Sequence, residues 1–351
     1  MSSPSSPAPS RPARWGGAWP VGLIVTAAFL AWAVHGVDLH EVVAGARRAN
    51  LWLVAVSAIV ATLTFPIRTL RWRVLLRDVH ERPFPVRPLW DATAIGFMAN
   101  NLLPARAGEF ARAWVASRRL PVRFSTALAS IAVERVFDGL MMLALIAVAI
   151  AAPSFPSQAR VGDTTVSRIA VVAAAAFGAM LLLALAVALR PGPWLALLDR
   201  VTAALLPARW AGNVRSAAEG LVAGLAVLKD PARFGMVVLW SLVLWLVNAL
   251  AFAICFRAFA LPVPPEGALL LQGLIGFGVA IPSAPGYAGV FEAATMLTLQ
   301  FYGIDAAVAL AYAVVFHVAG FIPITLLGLY ALSRAQLRLG DLRGAAPAPA
   351  P

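Results

Sequence analysis

Six apolar runs, at about 20–37, 50–67, 124–152, 168–189, 231–257 and 305–333, constrain this chain more than any other feature. Each approaches the ~20 residues that an α-helix needs to cross a hydrocarbon core about 30 Å thick. Backbone polar groups in lipid must be satisfied internally, and runs of this length without alternation specify helices rather than barrel strands. The expected fold is an all-α polytopic membrane protein with about six full spans. Composition agrees: 61% of the 351 residues are hydrophobic and 13% charged, where soluble domains carry about 25% charge.

Two further segments are apolar but do not fit a simple span. Ala92 to Ala105 holds no charge, yet its 14 residues rise only ~21 Å as a helix. The run from Gly267 to Phe291 is long enough, but "IPSAPGYAG" interrupts it with Pro282, Pro285, Gly286 and Gly289. Both read as broken or re-entrant helical hairpins, which return to the side they entered.

Charge sets the orientation. With the N-terminus inside, 22 of the 28 basic residues fall on cytoplasmic segments, 5 fall outside, and Arg135 lies within a span. Such an excess marks the cytoplasmic side. Both termini are therefore expected in the cytoplasm, and the protein in the cytoplasmic (inner) membrane. The net charge of +12 follows from orientation and anionic lipid headgroups, with no nucleic-acid partner.

This topology contains a repeat. Span 50–67, the broken segment 92–114 and span 124–152 form one unit. Span 231–257, the broken segment 267–301 and span 305–333 form a second, inverted relative to the first. Each break holds P-x-x-x-G, from Pro104 to Gly108 and from Pro285 to Gly289. Interrupted segments at matching positions of inverted halves point to a transporter's central site. Around this transmembrane domain (19–335), residues 1–18 and 336–351 read as disordered tails. Residues 190–230 read either as amphipathic helices on the cytoplasmic surface or as a soluble helical linker. Ala31-Trp32-Ala33 satisfies a cleavage pattern, but the spans that follow favour a retained first helix.

Polar residues inside such a chain are costly and therefore informative. In "NNLLPARAGEFARAW" (Asn100 to Trp114), Pro104 and Gly108 free backbone groups that Asn100, Asn101 or a ligand can satisfy. Arg106 and Arg112 suit phosphate, which guanidinium grips in bidentate fashion, and Glu109 suits a counter-ion or a proton carrier. The alternative is a juxtamembrane loop whose arginines sit among headgroups. In "VERVFDG", Glu134 and Asp138 share a helical face, Arg135 can close on Asp138, and Glu134 then needs a partner such as Arg106 or Arg112. That group could equally be a structural ion cluster. Arg68 and Arg71 could receive a phosphate or merely anchor the helix end. Ser283, Tyr287 and Glu292 sit at the second break, where Glu292 either faces the cavity or complements a helix N-terminus. Asn248, His317 and Pro323 are isolated interruptions, read as interhelical hydrogen bonds or a kink.

Several chemistries lack their signatures. The sole lysine, Lys229, follows Val227-Leu228 rather than glycine, so no P-loop is present and no intrinsic ATPase is expected. No metal spacing or nucleophile motif occurs, the acids near Asp38-Leu39-His40-Glu41 are off D-x-D spacing, and the lone Cys255 excludes an intrachain disulfide. No cofactor or metal is expected.

In order along the chain, "RTLRWRVLL", "NNLLPARAGEFARAW", "ERVFDGL" and "PSAPGYAGVFEA" resemble the flippase-like family, the transmembrane region of lysylphosphatidylglycerol synthases and flippases. The resemblance covers roughly 20–335 and implies a polytopic helical fold with re-entrant segments. It draws attention to Arg68, Arg71, Asn101, Pro104, Arg106, Gly108, Glu109, Arg112, Glu134, Asp138, Pro285, Gly286, Gly289 and Glu292. Bifunctional members continue into a soluble aminoacyltransferase domain that this sequence does not contain, so a translocase for an anionic or isoprenoid-type lipid is expected rather than a synthase. The rivals are a membrane-embedded lipid-phosphate transferase and a scaffold for lipid-modifying enzymes. Membrane lipids are the expected partners, with a homodimer or lipid-biosynthesis enzymes as further ones.

Overall fold

The structure is a computed structural model that describes residues 18–343 except 79, 104–106, 157–159, 162–163, 206, 208–210, 213, 216–217, 221, 223–228 and 282. Pro104, Arg106 and Pro282 therefore lie outside the described residues, as do 1–17 and 344–351 of the two tails. Apart from a two-residue strand pair, Arg160–Val161 with Thr164–Thr165, and an isolated bridge between Arg77 and Pro83, the described secondary structure is helical.

Short polar residues start the long helices. Asn50 Oδ1 accepts from the N–H groups of Trp52 and Leu53 and begins Leu51–Thr62. Asp230 caps Pro231–Ala258 through Ala232 and Arg233, and Asp305 caps Ala306–Arg334 through Ala307 and Val308. Each satisfies orphan N–H groups, a contribution of about 1 kcal/mol. Among the described residues, three helices are long and apolar enough to cross a membrane: 51–75, 231–258 and 306–334. A fourth span results if 23–34 and 39–48, which meet at 83°, count as one. Phe124–Ala151 is as long, with 28 residues, but carries Glu134, Arg135 and Asp138.

The polarity of the molecule is reversed relative to a soluble protein. Leu239, Leu242, Leu246 and Leu250 form an exposed stripe, as do Val314, Val318, Ile322 and Leu326, while Arg71 and Glu134 are fully buried. Helical spacing makes each stripe a single face. Apolar side chains outside and charges inside suit lipid as the surrounding solvent.

Three local outcomes differ from the sequence expectation. The second span continues past 67 through Thr64–Leu75, joined to Leu51–Thr62 at Leu63, because nothing after Pro66 interrupts the helix. Arg68 and Arg71 thus lie within it. After the first span the chain turns into an amphipathic helix, Leu39–Arg48, capped by Asp38. Within the stretch read as a C-terminal tail, Leu339–Arg343 is helical and buries Leu342. Of the 190–230 segment, Pro191–Leu205 is a helix with one buried residue, Thr202.

Both broken segments are helical hairpins. In the first, Val86–Leu102 pairs with Ala107–Arg119: Asn100 lies by Gly108, Gly96 by Arg112, and Asp91 by Arg119. The paired numbers sum to a nearly constant value, which defines an antiparallel arrangement. A Cβ on Gly108 would stand 1.9 Å from the Gly96 carbonyl oxygen, so the two backbones touch. In the second, Pro265–Gly278 pairs with Val290–Phe301, with Gly278 beside Val290 and Gly267 beside Tyr302.

The long helix Ala306–Arg334 relates the two hairpins. Its C-terminal Arg334 binds Asp91 at the open end of the first hairpin. Its N-terminus follows directly from the second hairpin, whose open end is at Gly267 and Tyr302. The hairpins therefore approach from opposite ends of this helix. Their tips meet near its middle, where Asn101 Nδ2 donates to Thr325 Oγ1 (3.1 Å) and a Cβ on Gly286 would lie 3.7 Å from the Asn101 carbonyl.

Candidate functional site: a cavity where the hairpin tips meet

A cavity of about 240 Å³ occupies this meeting point. From the first half it is lined by Arg68, Phe97, Asn100, Asn101, Gly108 and Glu109, and at its edge by Arg112 and Arg135. From the second half come Trp245, Asn248, Gln272, Gly286, Tyr287 and His317. Asn100 Oδ1 accepts from the Gly108 N–H (2.9 Å), so this amide satisfies backbone freed by the first break. Asn248 donates to Gln272 across the opposite wall.

Below the first tip lies an ion cluster. Arg112 holds Glu134 in a bidentate pair, Nη1–Oε1 3.0 Å and Nη2–Oε2 3.1 Å, with its guanidinium 3.9 Å above the Trp72 ring. Arg71 Nη1 donates to Asp138 Oδ1 (2.5 Å) and to Ser241 Oγ (3.0 Å), and Nη2 lies 3.1 Å from Glu134. Arg135 contacts Glu134 at 2.7 Å and Asp138 at 3.1 Å, and stands 3.9 Å from Glu109. The Trp245 indole N–H donates to Asp138 (3.0 Å). The cluster joins helices 64–75, 107–119, 124–151 and 231–258. Opposite charges in a desolvated interior attract strongly, and removing either partner leaves the other uncompensated.

Arg68 is different. It is 8% exposed, lies between the faces of Phe97 (4.8 Å) and Trp245 (4.7 Å), and has no ion pair among the described residues. Its Nη1 is buried without a hydrogen-bond partner among them. Counted among the described residues, Arg68, Arg71, Arg112 and Arg135 stand against Glu109, Glu134 and Asp138, one more positive charge than negative. Cation–π contacts offset part of the desolvation of a guanidinium. An anion entering the cavity would supply the rest.

The sequence candidates thus separate. Arg71, Arg112, Glu134 and Asp138 are brought together, as their own partners; Arg68, Asn101 and Glu109 face the cavity. Glu292 lies on the second hairpin, where its carboxylate accepts from the Gly289 N–H (2.6 Å) and meets His317 Nδ1 (2.6 Å). His317, read from sequence as an isolated polar residue, also reaches the Gly286 carbonyl (2.9 Å). Gln272 and Trp245 were not singled out in the sequence. A tryptophan or glutamine in an apolar run gives no sign of which face looks inward.

Residues 19–328 match the family described as Lysylphosphatidylglycerol synthase TM region. The chain is also 30% identical over 326 residues to "Glycosyltransferase AglD" of Haloferax volcanii, an alignment covering 84% of this chain and 51% of that protein. The chain thus spans about half the length of this curated relative. A family match over most of the chain, together with apolar helices that bury their charges, leads to one assignment: the protein belongs to the lysylphosphatidylglycerol synthase transmembrane-region family and is a membrane protein.

Proposed function

We propose that the protein is a lipid translocase of the cytoplasmic membrane, which receives an anionic, phosphate-bearing headgroup in the cavity between the hairpin tips. Arg68 carries this reading: a buried guanidinium with a nitrogen unpartnered among the described residues, lining a space that two broken helices open. In this reading the full architecture is six spans and two re-entrant hairpins in an inverted repeat, with both termini cytoplasmic. Half-helix ends and a cavity near mid-membrane suit alternating access around a central site. Arg68 grips the phosphate, Asn101 donates to it only by giving up its contacts to Phe321 or Thr325, and the Arg135–Glu109 pair adjusts the charge of the wall. The lipid tail, phospholipid or isoprenoid, stays outside among the apolar helix faces.

An enzyme reading is favoured by one observation, the relative whose printed name is a glycosyltransferase. On that reading the cavity would bind a lipid-phosphate substrate and Glu109 would serve as a base. Reconstitution separates the two. Purified protein in liposomes should move a fluorescent anionic phospholipid between leaflets, and Arg68→Ala should abolish the movement. Failure of the wild type to move any phosphate-bearing lipid would reject the translocase. A lipid species missing from a deletion strain would then favour the enzyme.

A further inference from the structure

The turn that closes the second hairpin is strained and is held by side chains from other helices. Gly286, Tyr287 and Gly289 have φ of 71°, 63° and 83°. The left-handed region costs a residue with a side chain, such as Tyr287, and persists only where the surroundings enforce it. Thr26 enforces it from the first helix: its Oγ1 accepts from the Ala284 N–H (2.8 Å) and donates to the Ala288 carbonyl (3.0 Å). Glu292 holds the Gly289 N–H through Oε2, and His317 holds the Gly286 carbonyl through Nε2.

Hydrogen-bond accounting at this pair fixes a proton. The Gly286 carbonyl can only accept, so His317 Nε2 must carry a hydrogen. Between His317 Nδ1 and Glu292 Oε1, 2.6 Å apart, one further proton is required. It sits either on the imidazole, beside a carboxylate, or on the carboxyl, beside a neutral imidazole. Without it, Nδ1 or Nε2 turns a lone pair towards an oxygen acceptor, and one of the two contacts is lost.

We infer that Glu292 and His317 form a proton-binding site on the second-hairpin wall of the cavity, and that loss of the shared proton frees the Gly286–Gly289 turn. His317 lines the cavity, so the proton leaves to water there.

Few other charges bear on the pair. Tyr287 is the titratable group of the turn, and Tyr312, on the helix of His317, is buried with its hydroxyl on the Phe252 carbonyl. Helix 86–102 offers the amides of Asn100 and Asn101, with Asp91 held by Arg334 at its far end. His40, Glu41, Arg47 and Arg48 of helix 39–48 are exposed, and helix 231–258 contributes the buried Cys255 and the terminal Arg257. Helices 18–34 and 51–62 carry no titratable side chain. Arg68, Glu109, Arg112 and Arg135 line the same cavity from the first half.

Coupling of this proton to lipid movement rests on the translocase reading; the proton site does not. The test uses full-length protein in nanodiscs, with Cys255→Ala and a trifluoromethyl probe on Ile281→Cys, an exposed position next to the turn. Fluorine NMR is recorded from about pH 5 to about pH 9, the range that brackets histidine titration. The wild-type pair should give a shift that changes with pH. Glu292→Gln should hold the low-pH shift throughout, because a glutamine nitrogen donates to neutral His317 while its oxygen still accepts from Gly289. His317→Phe should show the high-pH shift throughout. A wild-type signal that does not respond to pH, or Glu292→Gln titrating like the wild type, would overturn the site. Nitrogen-15 spectra of His317 give an independent check, since Nε2 should be protonated below the transition, where both contacts are made; an unprotonated Nε2 there overturns the accounting. If the probe behaves as described and no lipid moves in liposomes, the translocase reading fails and the proton site stands.

Discussion

Arg112 and Glu134 meet through two parallel hydrogen bonds of 3.0 and 3.1 Å, with the arginine 3% exposed and the glutamate not exposed at all. The pair anchors helix 107–119 to helix 124–151, and Glu134 is shared with Arg71 and Arg135.

Arg112→Ala should therefore destabilise the protein by about 3–5 kcal/mol, the usual cost of stranding a buried charge. Thermal unfolding of the purified protein in detergent measures it. An unchanged midpoint would mean the pair contributes little to the fold.

Arg68→Ala is expected to behave in the opposite way. It removes no ion pair among the described residues, so the unfolding midpoint should change little, while affinity for an anionic phospholipid should fall about ten- to a hundredfold, as for loss of a charge-assisted contact of ~1.5–3 kcal/mol. Arg118→Ala, an exposed arginine over Trp114, is the comparison and should cost far less. Native mass spectrometry or fluorescent-lipid titration reports both. Equal, small effects would remove Arg68 from the headgroup site.

Close backbone contact predicts a sharp contrast between glycines. Gly108→Ala places a methyl 1.9 Å from the Gly96 carbonyl, so helices 86–102 and 107–119 must separate and folded yield should drop. Gly235→Ala meets nothing within 4 Å and should be neutral or slightly stabilising, since alanine is favoured over glycine in a helix by roughly 0.5–1 kcal/mol. Size-exclusion profiles of the two variants distinguish them.

Asp91 binds both Arg119 and Arg334, which places the open end of the first hairpin beside the end of the last long helix. Single cysteines at Ser117 and Ser333, in a Cys255→Ala background, should accordingly label from the same side of the membrane, the cytoplasmic side by the charge bias. One at Ser154 should label from the other. Labelling of Ser117 and Ser333 from opposite sides would contradict both the hairpin and the inverted topology.

The amino-acid sequence by itself determined the helical class, the membrane as solvent and the positions of the two breaks. These depend on local quantities: the length of an apolar run, the caps Asn50, Asp230 and Asp305, and the proline and glycine content of a short stretch. It also marked Glu134 and Asp138 as carboxylates that need buried partners, because isolated charges in lipid are costly, and left Arg68, Arg71 and Arg112 open between headgroup binding and anchoring. The Arg135–Asp138 contact and Arg112 as a candidate partner of Glu134 were legible there; the pairings between distant helices were otherwise not. Arg71 and Asp138 are 67 residues apart in the chain, and Glu292 and His317 are 25 apart. Their pairing depends on the rotation and depth of whole helices, set by packing such as Gly96 on Gly108 and Gly328 on Met98. Only the tertiary structure decided that Arg71 and Arg112 are consumed by carboxylates, that Arg68 is left over beside the cavity, and that His317 is joined to the second break. The physical reason is the range of the forces: burial and capping act on neighbours in sequence, whereas a charge finds its partner only after the helices have packed.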